Sequence, residues 1–260
     1  SDKTGTLTKG EMTVRKIYIN GKMLDVTGVG YEPKGEFLDN GAPVNLKANG
    51  DLTQLLRASM LCTNAHYDGK SVIGDTTEGA LIVAAAKAEM TKKDTEALYP
   101  RVHEVPFTSE RKRMTTVHKT PEGTLVAYVK GAPEIILERS THILQDSQAK
   151  KLSSVERKNI LEINEKVASD ALRMLGIAYK NLPDGALEKV EEESMENGLV
   201  FLGLTGMIDP PREEAKEANL KCQQAGIKTV MITGDHKLTA VAIAKELGML
   251  KSDRVLTGTE

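Results

Sequence analysis

At 260 residues, 40% hydrophobic and 28% charged, the chain has the composition of a globular protein with a sizeable core, in one large domain or two smaller ones. Its formal charge of −2 gives no basic field for nucleic acid and no acidic tail, which excludes nucleic-acid binding by bulk charge. The longest apolar run, Leu199–Ile208, is about half of what a bilayer-spanning helix needs, and no signal peptide is visible, so the chain as it stands is expected to be soluble.

The chain opens SDKTGTLT, with a carboxylate at its second residue. An Asp at a strand tip followed by Thr-Gly-Thr suits a covalent nucleophile toward phosphorus: small residues let backbone N–H groups approach phosphoryl oxygens, and Lys3 supplies positive charge. The stretch MTVRKIYINGKML then alternates apolar and polar residues around Asn20-Gly21, which predicts a hairpin. Residues 29–50 are rich in Gly, Pro and Asn and read as turns and loop. LTQLLRASMLCTN carries Leu at helical spacing, and a second helix is expected from Thr77 to Met90.

RVHEVPF, RMTTVHKT and TLVAYVKG are three β-rich runs separated by turns, the pattern of an antiparallel meander. Helical patterns resume at Ala132–Glu138 and Ser153–Leu175, and LGIAYKNL returns to strand. From Leu199 onward the order is apolar strand, helix, apolar strand over KTVMITGD, and helix, which predicts a parallel α/β unit. Two such units are too few for an independent doubly wound sheet, so the chain is expected to be a piece of a larger protein. In such a sheet ligands bind at the carboxyl ends of the strands, where Asp209, Arg212, Thr233, Gly234 and Asp235 fall. Asp2, Asp209 and Thr233–Asp235 would converge on one phosphate and its Mg²⁺, although each alone is explained as a cap or turn.

Two features are decoys. Gly69-Lys70-Ser71 is the tail of a phosphate-binding loop, but Asn64 stands where the pattern needs glycine and no buried strand leads into it. Cys62 and His66 stand four apart, yet a zinc site would need about two more ligands and none cluster nearby. The two cysteines, Cys62 and Cys222, suit buried thiols in a reducing compartment rather than a disulfide framework.

DKTGTLT, KGAPE, DPPR and TGD occur here in the order in which they occur in the cytoplasmic part of P-type cation-transporting ATPases, which the chain resembles over essentially its whole length. The resemblance implies an aspartyl-phosphate enzyme that couples ATP hydrolysis to cation transport. Asp2 would take the γ-phosphate, Lys3 and Thr4 would orient it, and Asp2 with the Thr4 carbonyl would ligate Mg²⁺. Thr233, Gly234, Asp235, Asp209 and Arg212 would hold phosphate, Mg²⁺ and ribose.

By the same resemblance Lys130 and Gly131 would line the adenine pocket, Phe107 would stack on the base and Lys112 would reach the phosphates. Glu78 would face the adenine amino group and Arg173 a phosphate. Each has a plain alternative: a strand-to-helix turn with Pro133 in a first helical turn, a core Phe, a helix cap formed by Asp75 and Glu78, and a surface Arg. Animal reticulum calcium pumps carry Arg two residues after the stacking Phe, where this chain has Ser109, and Arg111 or Arg113 is expected to compensate.

The expected fold is therefore α/β and α+β: a mixed, largely antiparallel nucleotide-binding domain at 10–205 inserted into an incomplete haloacid-dehalogenase-like parallel sheet at 1–9 and 206–260. GDTTEGAL, MIDPPR and KGAPE lean toward the calcium-type branch. The expected partners are ATP and, in the parent membrane protein, an actuator domain, transmembrane helices and a transported cation, with this segment on the cytoplasmic face and monomeric by itself. Other readings of the same residues are a soluble haloacid-dehalogenase-like phosphatase, which would want a second Asp where Thr4 stands, and a non-catalytic nucleotide-binding module.

Overall fold

A computed structural model of the protein describes residues 1–170, 172–183, 192–234 and 237–250. Strand β1 (Thr13–Ile19) returns as β2 (Lys22–Val26) through Asn20 and Gly21, whose φ angles of 51° and 74° give the mirror-image turn that matches strand twist. A second Asn-Gly turn, at Asn40 and Gly41, joins β3 (Phe37–Asp39) to β4 (Ala42–Pro43). Helix α1 (Gly50–Leu61) follows, then the small hairpin β5 (His66–Tyr67) and β6 (Val72–Ile73), and helices α2 (Thr76–Lys87) and α3 (Lys92–Leu98). The meander β7 (Arg101–Thr108), β8 (Arg113–Lys119) and β9 (Leu125–Gly131) leads into α4 (Pro133–Glu138). Next come β10 (Ser140–Gln145), β11 (Gln148–Lys151), α5 (Ser154–Ser169), β12 (Arg173–Leu182), α6 (Glu192–Met195), β13 (Leu199–Ile208), α7 (Glu213–Gln224) and α8 (Lys237–Glu246).

Eleven of these strands form one sheet, in the order β4-β3-β2-β1-β13-β12-β9-β8-β7, with β10 against β13 and β11 against β10. Every pairing but one is antiparallel; β10 runs parallel to β13. The sheet divides around β13. On one side its first residues pair with β10 (Val200 opposite His142) and its later residues with β1 (Leu204 opposite Tyr18), while β12 pairs along the whole of its other side. Gly203 stands at the change of partner, where a Cβ would lie 2.2 Å from the Tyr18 carbonyl oxygen. Only glycine fits that approach.

Side chains alternate across the sheet, so each face has its own core. Ile17, Ile19, Ile177 and Leu202 pack with Leu52, Leu55 and Leu56 of α1 and with the buried Ala80–Ala85 stretch of α2. Tyr18, Ala178, Phe201 and Leu204 pack on the opposite face with Ile136 and Leu137 of α4 and Ile160 of α5. Helices α1, α2 and α5 start where side chains cap them: Asn49, Asp75, and Ser153 with Glu156. No helix among the described residues is long and apolar enough to cross a membrane.

Several expectations need correction. Residues 29–50 hold the β3–β4 hairpin, whose strands are too short to show a period-two signal. The helix expected over Ser153–Leu175 ends at Ser169, and Arg173 begins a strand that pairs with both β9 and β13. Leu199–Ile208 is not the first strand of a parallel sheet but the centre of the antiparallel one. The stretch KTVMITGD forms no buried strand over its described residues: Ile232 makes an isolated parallel bridge with Asp2, and Val230 and Ile232 are 58% and 70% exposed. A strand of that kind is buried by neighbours on both sides, and among the described residues it has one.

Candidate functional site

The meander sets most of the expected pocket residues by register. Thr108 lies opposite Arg113, Arg113 opposite Gly131 and Gly131 opposite Gly176, one row across β7, β8, β9 and β12. Phe107, Lys112, Lys130 and Arg173 all lie on or next to this end of the sheet, about 5 Å apart per strand. Phe107 is 56% exposed, so the core role weighed for it is not what it does. Gly131 permits a close backbone approach: a Cβ there would fall 2.5 Å from the Lys112 carbonyl oxygen, which accepts from Ala132 N at 3.0 Å. The approaching group is the protein's own backbone, with Lys112 at a φ of 52° and its side chain exposed. Pro133 does sit in the first turn of α4.

Glu78 enters this corner from the first turn of α2. Asp75 alone caps the helix, accepting from Glu78 N at 3.0 Å, so the reciprocal cap expected of Glu78 does not form. Its carboxylate instead accepts from the Asn64 and Ala65 amides at 2.6 and 2.8 Å and from Lys130 Nζ at 2.5 Å. Lys130 Nζ also donates to the Cys62 carbonyl at 2.5 Å. The lysine side chain is 9% exposed. Arg173 Nη1 donates to Thr77 Oγ1 at 3.1 Å, beside Glu78. Glu78, Lys130 and Arg173 thus meet at the start of α2, with Phe107 and Lys112 at the same end of the sheet.

The loop between β7 and β8 is held by a residue that no local pattern singled out. Glu196, fully buried, accepts from Arg111 Nη1 at 2.7 Å, Arg113 Nε at 2.5 Å and Thr115 Oγ1 at 2.7 Å. Arg111 and Arg113, one of which the resemblance offers in place of the Arg missing at Ser109, are both bonded to Glu196 here. A buried carboxylate between two guanidiniums holds both, because either cation left alone would be desolvated without a counter-charge.

The other expected site residues lie where the ends of the described chain cross. Ile232 N donates to the Ser1 carbonyl at 2.8 Å and Lys3 N to the Ile232 carbonyl at 3.2 Å, which sets Asp2 beside Ile232. The exposed Asp2 carboxylate accepts from Lys3 N at 2.9 Å, and Lys3 to Thr8 turn tightly through Gly5, whose φ is 77°. Thr4 is exposed in that turn and Lys3 is buried. Asp209 accepts from Thr8 Oγ1 at 2.6 Å and Gly10 N at 2.8 Å, and Arg212 Nε donates to the Thr8 carbonyl at 3.0 Å. In this structure Asp209 and Arg212 latch the opening segment. Thr233 and Gly234 follow Ile232; Asp235 lies outside the described residues.

Gly69-Lys70-Ser71 is the β5–β6 turn, and the Lys70 and Ser71 amides donate to Asp68 at 2.8 and 2.7 Å. Those bonds, the Ser71 amide first, hold the Asp68 carboxyl down to about 2. Cys62 is buried with its thiol against the Met114 and Tyr128 carbonyls, and burial pushes its pKa up, while His66 is exposed. Among the described residues no group of three or more His, Cys, Asp or Glu side chains could hold a metal ion.

Comparison with known proteins adds a family. The family described as "P-type ATPase, cytoplasmic domain N" matches residues 51–214. A calcium-transporting ATPase of Bacillus subtilis is 41% identical over 263 residues, which is 99% of this chain and 29% of that protein. Calcium-transporting ATPase 1 of Bacillus cereus is 40% identical over 100% of this chain and 27% of its own length. Cation-transporting ATPase pma1 of Synechocystis is 40% identical over 96% and 28%. The chain therefore spans less than a third of the length of these relatives.

Proposed function

Since the chain belongs to the P-type ATPases and carries their cytoplasmic domain N, we propose that its sheet end is an ATP-binding pocket and that Asp2 is the acceptor of the γ-phosphate. The observation that carries the reading is the convergence of Glu78, Lys130 and Arg173 at the start of α2, with an exposed Phe107 at the same end of one strand row. Phe107 stacks on the base, a role served by any exposed aromatic face. Glu78 faces the exocyclic amine, Lys130 and Gly131 form the pocket floor, and Lys112 and Arg173 reach toward phosphate.

Phosphoryl transfer forms a bond from an Asp2 carboxylate oxygen to the γ-phosphorus and breaks the bond to the β-phosphate oxygen, releasing ADP. Lys3, Thr4, Thr233 and Gly234 line the turn and strand end beside Asp2, with Asp235 next in sequence, while Asp209 and Arg212 hold the turn in place. Mg²⁺ supplies charge neutralisation when it accompanies the nucleotide. The described residues do not by themselves make a metal site; Asp2 and the Thr4 carbonyl would contribute oxygens.

The domain reading is that 10–205, extended to Ile208 at the end of β13, is the nucleotide-binding domain, set into a haloacid-dehalogenase-like parallel sheet to which 1–9 and the chain after β13 belong. The parallel bridge between Asp2 and Ile232 supports it. In the parent protein the partners would be an actuator domain and transmembrane helices, with this part on the cytoplasmic face. The names of the relatives favour calcium as the transported cation.

Calorimetric titration with ATP tests the pocket. Saturable binding is expected, weakened about tenfold or more by Phe107→Ala, since losing one stacking partner is worth about 1–3 kcal/mol. The melting temperature should hardly move, because Phe107 is exposed. Absence of binding by the folded chain would overturn the reading.

A further inference from the structure

The segment that leaves α1 is held by side chains at four carbonyls and two amides. The Leu61 carbonyl accepts from Arg101 Nη2 at 2.9 Å, and the Cys62 carbonyl from Lys130. The Thr63 carbonyl accepts from Arg101 Nη2 at 2.5 Å and Lys92 Nζ at 3.0 Å, and the Ala65 carbonyl from Lys92 Nζ at 2.9 Å. Between them, the Asn64 and Ala65 amides donate to Glu78. The Asn64 side chain is gripped as well, accepting from Arg101 Nη1 at 2.6 Å and donating to Glu104 at 2.8 Å.

Cations at a helix C-terminus ordinarily satisfy its last carbonyls and its dipole. Here they do more, because the same five residues present the amides that orient Glu78. A carboxylate offers about four lone-pair sites. Oε2 receives two donors and Oε1 one, leaving about one site on Oε1 for a ligand. A fixed carboxylate with one open site accepts from an exocyclic amine and opposes a carbonyl oxygen, the difference between a 6-aminopurine and a 6-oxopurine. Arg101 and Glu104 also lie on β7, the strand that ends at Phe107 and Thr108, so both walls of the pocket are tied through one strand.

We propose that Arg101 and Lys92 are specificity-determining positioning residues: by holding the Leu61, Thr63 and Ala65 carbonyls they fix the amides that hold Glu78, and so set the preference for adenine over guanine nucleotides. This inference rests on the nucleotide reading above. Neither side chain touches the base. What they control is where the acceptor stands, and a displacement of about 1 Å is enough to lose it.

The test is titration of the full chain with ATP, GTP and tripolyphosphate, for the parent sequence and for Arg101→Met, Lys92→Met and Arg101→Lys. Lys92→Met leaves Arg101 on the Thr63 carbonyl, so it keeps the test open where Arg101→Met does not fold. The expected result is a fall of about tenfold in the ATP-to-GTP affinity ratio in the Met variants, the value of a lost charge-assisted hydrogen bond. Tripolyphosphate affinity should be unchanged, and Arg101→Lys should restore part of the ratio.

Asp51→Asn serves as the control for stability alone. Asp51 staples Asn20 and Ser147 at the other end of α1, roughly 15 Å away, and its loss should lower the melting temperature without moving the ratio. A ratio unchanged in a folded Met variant, or equal losses for ATP and GTP, would overturn the proposal. A parent chain that binds both nucleotides equally would also overturn it while leaving the pocket reading intact. A parent chain that binds neither would remove the pocket itself.

Discussion

The corner around Glu78 and the crossing around Asp2 carry the same kinds of residue, yet the fold treats them differently. At Glu78 every polar group is fixed by partners on other elements: Asn64 and Ala65 after α1, Lys130 on β9, and through Asn64 the strand β7. At Asp2 the backbone is held by isolated bridges rather than by a strand ladder, a parallel one to Ile232 and an antiparallel one from Thr8 to Pro211, together with one tight turn and the latch of Asp209 and Arg212. The first region is part of the sheet and should come apart only when the sheet does. The second should open by itself, at a smaller cost. On the reading proposed above, the pocket gains from being built into a rigid sheet, and an acceptor set on a turn can be presented to a ligand held elsewhere.

The largest expected effect tests the first half of that contrast. Glu196→Ala leaves Arg113, whose side chain is 6% exposed, without its buried counter-charge. Removing one member of a buried ion pair costs about 3–5 kcal/mol. Urea denaturation should show that loss in the single global transition. A loss below about 1 kcal/mol would mean that Arg113 finds Glu193, 3.8 Å away, and that the loop bearing Phe107 is not anchored as described.

A second effect should appear in the pH dependence of stability. His118 on β8 is fully buried; its Nδ1–H donates to the Tyr99 carbonyl at 2.8 Å and its Nε2 accepts from Thr116 Oγ1 at 3.0 Å. Burial, aided by Arg101 and Lys92, lowers its pKa from 6.5 to about 4. The unfolded chain therefore takes up a proton that the folded chain refuses as the pH falls from 6.5 to 4. Stability held above pH 6.5 is lost across that window, by about 3 kcal/mol. His118→Gln should flatten this part of the profile. An unchanged slope would place the acid sensitivity in other groups.

What was legible in the sequence follows from the range over which each feature is specified. The β1–β2 hairpin, α1, α2 and the meander were readable because turn residues and periodicity are local. The role of β13 was not: a strand buried on both faces reads alike at the centre of a parallel or an antiparallel sheet. Helix α3 buries none of its side chains and so carries no apolar stripe, and β11 is exposed throughout. The residues proposed for the pocket, Glu78, Phe107, Lys112, Lys130, Gly131 and Arg173, are legible through motifs, and the structure brings them to one end of the sheet. Asn64, Lys92, Arg101 and Glu196 were missed, since their partners lie far off in sequence and no spacing announces them. The same distance in sequence hides the bonds that Glu196 makes to Arg111 and Arg113.

The smallest expected effect decides whether the two regions are separate. Asp209→Ala removes both acceptors, so Thr8 Oγ1 keeps only the Lys3 carbonyl and the Gly10 amide loses its side-chain partner. The cost should be about 1–2 kcal/mol and should fall on local opening. Hydrogen exchange of the Gly10 amide should speed up about tenfold, while the amides of β12 and β13 and the urea midpoint stay where they are. If instead the midpoint drops by the whole of that amount, the opening segment unfolds together with the sheet. The turn that carries Asp2 would then be as rigid as the corner that carries Glu78, and its exposure would reflect position alone rather than freedom to move.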